Sequence, residues 1–294
     1  MRNRVWSVAA ALTAAVVGVA GCDAVGGNSP APSGTRAGSA APSPTPVWDR
    51  SPGSVAAVGD SITRAFDACG VLSDCPEASW ATGSSEDVDS LAVRLLGRAR
   101  AAERSWNYAV TGARMADLPR QMARAVTRSP ELVTVMAGAN DACRESTASM
   151  TPVAAFRASF EDALHTLRRS LPKAQVYVAS VPDLKRLWSQ GRTSALGKEV
   201  WKLGICPSML GDADALDAAA VERRATVQRR VEDYNEVLRE LCAKDERCRF
   251  DGGAVYAYRF RVGQLSRWDW FHPSVDGQAR LAEIAYRTVT AEET

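Results

Sequence analysis

From residue 48 onward, apolar positions fall into two patterns. Short, nearly unbroken runs at 55–58, 132–137 and 175–181 read as buried strands, the last ended by Pro182, and shorter pieces at 106–110 and 249–250 complete the set. Such runs suit a parallel sheet covered on both faces, because neither side of the strand meets water. Between them, apolar residues recur every third or fourth position. Segment 87–101 puts Val88, Leu91, Leu95 and Leu96 on one helical face, and 115–126 is helical with Pro119 near its start. The clearest helix takes Thr151 as N-cap and Pro152 as first helical residue, with a stripe of Val153, Phe156, Phe160, Leu164, Leu167 and Leu171. Helices are also predicted over 216–244 and 275–289, and a long insertion separates Pro182 from the first of these. Strands alternating with helices predict the α/β class: a doubly wound, three-layer α/β/α sandwich around a parallel sheet.

The first 47 residues follow neither pattern. Met1 to Arg4 is short and basic, and 5–20 is apolar apart from Ser7 and Thr13. That stretch falls short of the ~20 strongly apolar residues of a membrane span, but it suits the core of a signal peptide. It ends in Val19-Ala20-Gly21-Cys22, which resembles the lipobox of bacterial lipoproteins. The resemblance implies cleavage before Cys22 and lipidation of its thiol. Residues 1–21 are then a signal peptide, 22–47 a Gly/Ser/Pro-rich tether, and 48–294 the folded domain. More than one acyl chain on Cys22 anchors a domain stably. The expected location is therefore the outer face of the bacterial cytoplasmic membrane, or outside the cell, with the lipid anchor as the only membrane contact.

Charge narrows the function. Lys and Arg number 36 against 34 Asp and Glu, and Arg2 and Arg4 account for the whole excess. A balanced domain argues against a nucleic-acid partner. With only two histidines in the chain, a histidine-rich metal centre is not expected. No metal or cofactor is implied, and a monomer is expected. Seven cysteines are an odd count; if Cys22 carries lipid, six remain for disulfides in an oxidising compartment. Many pairings are possible, but spacing favours Cys69–Cys75 and Cys242–Cys248, which leaves Cys143–Cys206. No CxxC pair is present to suggest structural zinc.

In open α/β sheets ligands bind beyond the carboxyl ends of the strands, and four motifs fall there or near the C-terminus. Gly59-Asp60-Ser61-Ile62-Thr63 follows the first strand, and Gly112 follows the second within 107–113. Gly138-Ala139-Asn140-Asp141 follows the third, and Asp269-Trp270-Phe271-His272-Pro273-Ser274 precedes the last helix. Together, in this order, they resemble the blocks of the SGNH/GDSL hydrolase family over 55–288. Ser79-Trp80-Ala81-Thr82-Gly83, Asp89-Ser90-Leu91, Leu132-Val133-Thr134 and Asn140-Asp141-Ala142-Cys143 resemble its phospholipase-B-like branch. The resemblance implies a flavodoxin-like sandwich and a serine esterase or lipase.

The residue chemistry points the same way. A serine hydroxyl attacks a carbonyl only when a base takes its proton, and His272 is the candidate base for Ser61. Asp269, three residues earlier, can face the imidazole across one helical turn and orient it. The backbone N–H groups of Ser61 and Gly112 and the amide of Asn140 are the candidate oxyanion donors, with glycine allowing close approach. Asp60 and Asp141 read as loop braces, and His165 as structural or solvated. Cys69 and Cys143 follow the serine and asparagine loops closely, so their disulfides would pin the site. In the insertion, Leu184, Leu187, Trp188, Trp201, Leu203 and Ile205 are candidates for an acyl pocket. The expected activity is hydrolysis of small-molecule or lipid acyl esters through an acyl-serine, with a (lyso)phospholipid as one candidate substrate. The competing readings are a carbohydrate O-deacetylase and a ligand-binding lipoprotein without turnover.

Overall fold

The apolar runs become five strands: β1 (Val55–Gly59), β2 (Ser105–Asn107), β3 (Leu132–Met136), β4 (Gln175–Val178) and β5 (Cys248–Phe250). All pair in parallel, in the order β2-β1-β3-β4-β5. Every residue of β1, β3 and β4 is buried, as a sheet with helices on both faces requires. This is a computed structural model, and it describes residues 48–292; the signal-peptide, tether and Cys22 assignments lie outside the described residues. Among the described residues no helix is long and apolar enough to cross a membrane.

The helices are α1 (Leu91–Leu96), α2 (Arg98–Arg104), α3 (Leu118–Ala125), α4 (Ala139–Ala142), α5 (Val153–Ser170), α6 (Leu184–Gly191), α7 (Ala195–Trp201), α8 (Pro207–Leu210), α9 (Ala218–Cys242), α10 (Ala254–Ala257) and α11 (Val275–Thr290). Neighbours α3, α5 and α9 pack side by side, and α1 packs against α11, giving the two helical layers of an α/β/α sandwich.

Several predicted boundaries move, each for a local reason. The helix expected over 87–101 divides into α1 and α2 at Gly97, whose φ of +74° and ψ of 155° leave helical space. It also starts late: Asp89 is left-handed, and Ser90 caps α1 by accepting from the Val93 N–H. Thr151 does not cap α5. Pro152 holds that position without a side-chain bond, and the Thr151 carbonyl instead accepts from Arg230 Nη1. The strand at 106–110 shortens to three residues of β2, although Tyr108 and Val110 still donate to the Ala57 and Gly59 carbonyls. The insertion, irregular by pattern, forms α6, α7 and α8. These are short helices capped by Asp183 and Ser194, with Pro207 at the first position of α8.

Sheet order fixes where a ligand can sit. From β1 the chain goes outward to β2, then returns past β1 to β3. The crevice beyond the carboxyl ends of β1 and β3 is therefore the topological switch point. Ser61 and Asn140 follow those two strands.

Candidate active site

Gly59 ends β1 at φ +153°, and a Cβ there would lie 2.2 Å from the Met136 carbonyl oxygen. Only glycine lets β1 and β3 stay paired to their ends while the chain turns sharply into Asp60 and Ser61. The turn is then held from three sides. Gln278 of α11 donates from Nε2 to the Ile62 carbonyl at 2.9 Å and accepts from the Trp80 N–H at 3.0 Å. Ser79 Oγ and Asn107 Nδ2 donate to the Thr63 carbonyl at 2.7 and 3.0 Å. Asp60, fully buried, accepts from the Ile62 N–H, while its second carboxyl oxygen meets no partner among the described residues. Burial pushes this carboxyl up to about 7, against the pull of the Ile62 N–H and His272. Asp141, also pushed upward by burial, joins the third loop to the second by accepting from the Met115 N–H. Both acids brace loops.

Ser61 Oγ lies 2.9 Å from His272 Nε2, and His272 Nδ1 lies 2.5 Å from Asp269 Oδ2. With the Nδ1 proton given to Asp269, Nε2 is left to accept from the serine. The spacing of three between Asp269 and His272 does not come from a helix. Asp269 Oδ1 accepts the backbone N–H of Phe271 and of His272 at 2.9 and 3.0 Å, an Asx-type turn in which Trp270 is left-handed at φ +53°. Trp201 of α7 donates from its indole N–H to the Asp269 carbonyl at 2.7 Å. A Cβ on Gly191 would lie 2.3 Å from the Trp270 carbonyl oxygen, so α6 also closes tightly on this turn.

Asn140 Nδ2 donates to the Ala113 carbonyl at 3.0 Å, which ties the third loop to the turn carrying Gly112. Gly112 is exposed at φ +80° with open space where a Cβ would stand, so it is the left-handed conformation, not crowding, that favours glycine there. Among the described residues the N–H groups of Ser61 and Gly112 donate to no protein acceptor.

Ser61, Asn140 and His272 open onto a cavity of about 220 Å³ whose walls are largely apolar, including Leu184, Leu187, Ile205 and Phe271. The other insertion candidates do not reach it: Trp188 and Trp201 are buried in packing, and Leu203 is 84% exposed. Disulfides join Cys69–Cys75, Cys143–Cys206 and Cys242–Cys248, and both Cys143 and Cys206 line the cavity. The second therefore staples the insertion to the Asn140 loop. A larger hollow of about 720 Å³ beside α5 and α9 takes in the exposed His165, but none of the described residues lining it carries a hydroxyl or thiol.

Composition and spacing miss Gln278 and Asp67, quote Asn107 only as the start of the Gly112 block, and assign Trp201 to an acyl pocket instead of to the Asp269 carbonyl. Gln278 alone left a legible signal, as a polar residue one turn before Leu281 and Ala282 on the buried stripe of α11. The others serve through contacts distant in sequence.

No curated protein sequence matches the chain significantly. Solved structures with a similar course of the backbone include an acetylxylan esterase from Geobacillus stearothermophilus, solved as a catalytic mutant (17% identity, 81% of this chain and 94% of that one, TM-score 0.49). An extracellular lipase from Streptomyces rimosus (17%, 81% and 99%, TM-score 0.46) is another. A third is phospholipase A1 from Streptomyces albidoflavus NA297 (19%, 82% and 100%, TM-score 0.46). At this distance these likenesses bear on neither substrate nor mechanism. Residues 55–285, which contain every candidate site residue named above except Cys22, match the profile described as GDSL-like Lipase/Acylhydrolase. The chain therefore belongs to the GDSL-like lipase/acylhydrolase family of hydrolases.

Proposed function

We propose that the protein hydrolyses carboxylic acyl esters through an acyl-serine, carried by the unbroken contact from Ser61 through His272 to Asp269 at the mouth of an apolar cavity. Ser61 Oγ attacks the ester carbonyl as His272 Nε2 takes its proton, and Asp269 steadies the imidazolium that forms. The N–H groups of Ser61 and Gly112 and the Asn140 amide are the donors for the oxyanion. Its collapse expels the alcohol, which leaves with the proton returned by His272. Water then repeats the sequence on the acyl-serine, freeing the acid and the serine.

The rate should therefore follow the neutral form of His272. Burial alone would lower its pKa, but the charge and hydrogen bond of Asp269, joined by Asp60 and Asp67, outweigh burial and raise it. Activity is lost as pH falls through the raised value. The acidic limb of kcat/KM against pH is thus expected to have its midpoint above the ordinary ~6.5 of histidine. A midpoint at or below that value would contradict this electrostatic balance.

Cavity size and lining support an acyl chain longer than acetyl. A cavity of about 220 Å³ walled by Leu184, Leu187, Ile205 and Phe271 has room for several carbons beyond an acetyl group. A series of 4-nitrophenyl esters should then peak at about four to eight acyl carbons. An optimum at acetate would favour the polysaccharide O-deacetylase instead, and one at palmitate would mean that the chain binds outside this cavity.

A further inference from the structure

A third carboxylate stands behind the imidazole. Asp67 is 1% exposed, and an oxygen of its carboxyl, an oxygen of Asp269 and a ring nitrogen of His272 all lie within 4.8 Å of one another. Its backbone is left-handed at φ +58°, and it is fixed at every polar atom of the main chain. Its N–H donates to the Ser73 carbonyl at 2.9 Å, and its carbonyl accepts from Ser266 Oγ at 2.6 Å. Ser266 in turn donates its own N–H to the His272 carbonyl at 2.7 Å, so one serine bolts the Asp67 loop to the histidine loop. One Asp67 carboxyl oxygen accepts from the Leu72 N–H at 2.5 Å. The Cys69–Cys75 disulfide closes the loop that supplies this donor.

The 69–75 loop is braced through the Leu72 and Ser73 N–H groups. It would not need a second carboxylate against a buried Asp269, where like charges repel. Burial first, and Asp269 second, push the Asp67 carboxyl up to about 6, while the Leu72 and Ser73 N–H groups and His272 favour its charged form. The acidic groups facing His272 are Asp269 on its own loop, and Asp67 and Asp60 on the loop after β1; Asp141 in turn faces Asp60.

We propose that Asp67 is a positioning residue of the esterase site: with Asp269 it stabilises the imidazolium that forms when His272 takes the Ser61 proton, and it carries part of that task when Asp269 is absent. No proton moves to Asp67 in the step. Its charge acts across the short distance to the ring. This inference rests on the proposed Ser61–His272–Asp269 mechanism.

The test is a two-by-two set on the folded domain, with kcat and KM for a short ester measured across pH and Ser61→Ala as reference. Asp269→Ala, which removes the charge without offering His272 Nδ1 an amide donor, is expected to lose about 10²-fold in kcat, where a site with one carboxylate loses on the order of 10⁴. Asp67→Asn, which keeps an acceptor for the Leu72 N–H, should lower kcat about tenfold at unchanged KM and move the acidic limb to lower pH. The double variant, Asp67→Asn with Asp269→Ala, should fall to about the 10⁴-fold loss. A full 10⁴-fold loss in Asp269→Ala alone, or an acidic limb that stays put in Asp67→Asn, would overturn the proposal. Should Asp67→Asn fail to fold, the size of the Asp269→Ala loss decides by itself. Activity surviving in Ser61→Ala would instead bring down the underlying mechanism.

Discussion

Ser61→Ala loses turnover of a simple acyl ester by a factor on the order of 10⁴ to 10⁶ while the thermal unfolding curve stays within a degree or two of wild type. Turnover falls because no other hydroxyl stands where Ser61 Oγ does, 2.9 Å from His272 Nε2 and on the cavity wall. Stability holds because, among the described residues, the Ser61 side chain makes no hydrogen bond other than the one to His272, and the turn around it is held by Gln278, Ser79 and Asn107. Serine and histidine act as one unit, so His272→Ala added to Ser61→Ala should cost little further. A serine-directed phosphonate should label wild type and leave the alanine variant unlabelled. Initial-rate assays with intact-mass spectrometry check both statements. Retention of more than about a hundredth of wild-type activity in Ser61→Ala would falsify the mechanism.

The second large effect is on stability. Arg224 of α9 is 1% exposed and donates to backbone carbonyls. These are the carbonyls of Met209 at 3.2 Å, Gly211 at 3.1 Å, Asp212 at 2.7 Å and Ala215 at 2.7 Å. Its guanidinium also lies over the Trp188 ring at 4.2 Å. One side chain thus satisfies the turns that close the insertion after α8. Arg224→Ala takes the side-chain donor from the buried Met209 carbonyl and the half-buried Ala215 carbonyl, while Gly211 and Asp212 keep Arg223 and the Ala215 N–H, and it opens a void beside Trp188, with an expected cost of about 3 kcal/mol. In a domain of this size that corresponds to a fall in Tm of roughly 10 °C. KM for acyl esters should rise as well, because the same segment carries Ile205 and Cys206 of the cavity wall. The exposed Arg229, paired with Glu222, is the control: its alanine variant should stay within about 0.5 kcal/mol of wild type. Equal melting of the two variants would show that the carbonyl cluster contributes nothing.

What could be read along the chain depended on range. β1, β3 and β4 were legible because a strand buried on both faces needs apolar residues in succession, whatever its neighbours. The long helix α5 was legible because its stripe repeats for eighteen residues. The insertion was not, since its helices are short: α6 and α8 bury against each other and against α9, and α7 packs on the Asp269–His272 turn, leaving no sustained period. The division of 87–101 turned on a single glycine, whose conformation composition does not set.

The chemical blocks themselves were in the sequence: Gly59-Asp60-Ser61, Gly112, Asn140 and Asp269-to-His272, each short, local and of fixed type, and with them the fold class. Only the tertiary structure decided which side chains stand against them. Ser61 and His272 are 211 residues apart. Gln278 reaches back to Ile62 across 216, and Ser266 to Asp67 across 199. A hydrogen bond or a pair of neighbouring charges over such separations imposes no periodicity and no composition on the chain between its ends. Position in three dimensions alone therefore gives Trp201 and Asp67 their places, and among the insertion candidates separates Leu187, which lines the cavity, from Leu203, which stands in solvent.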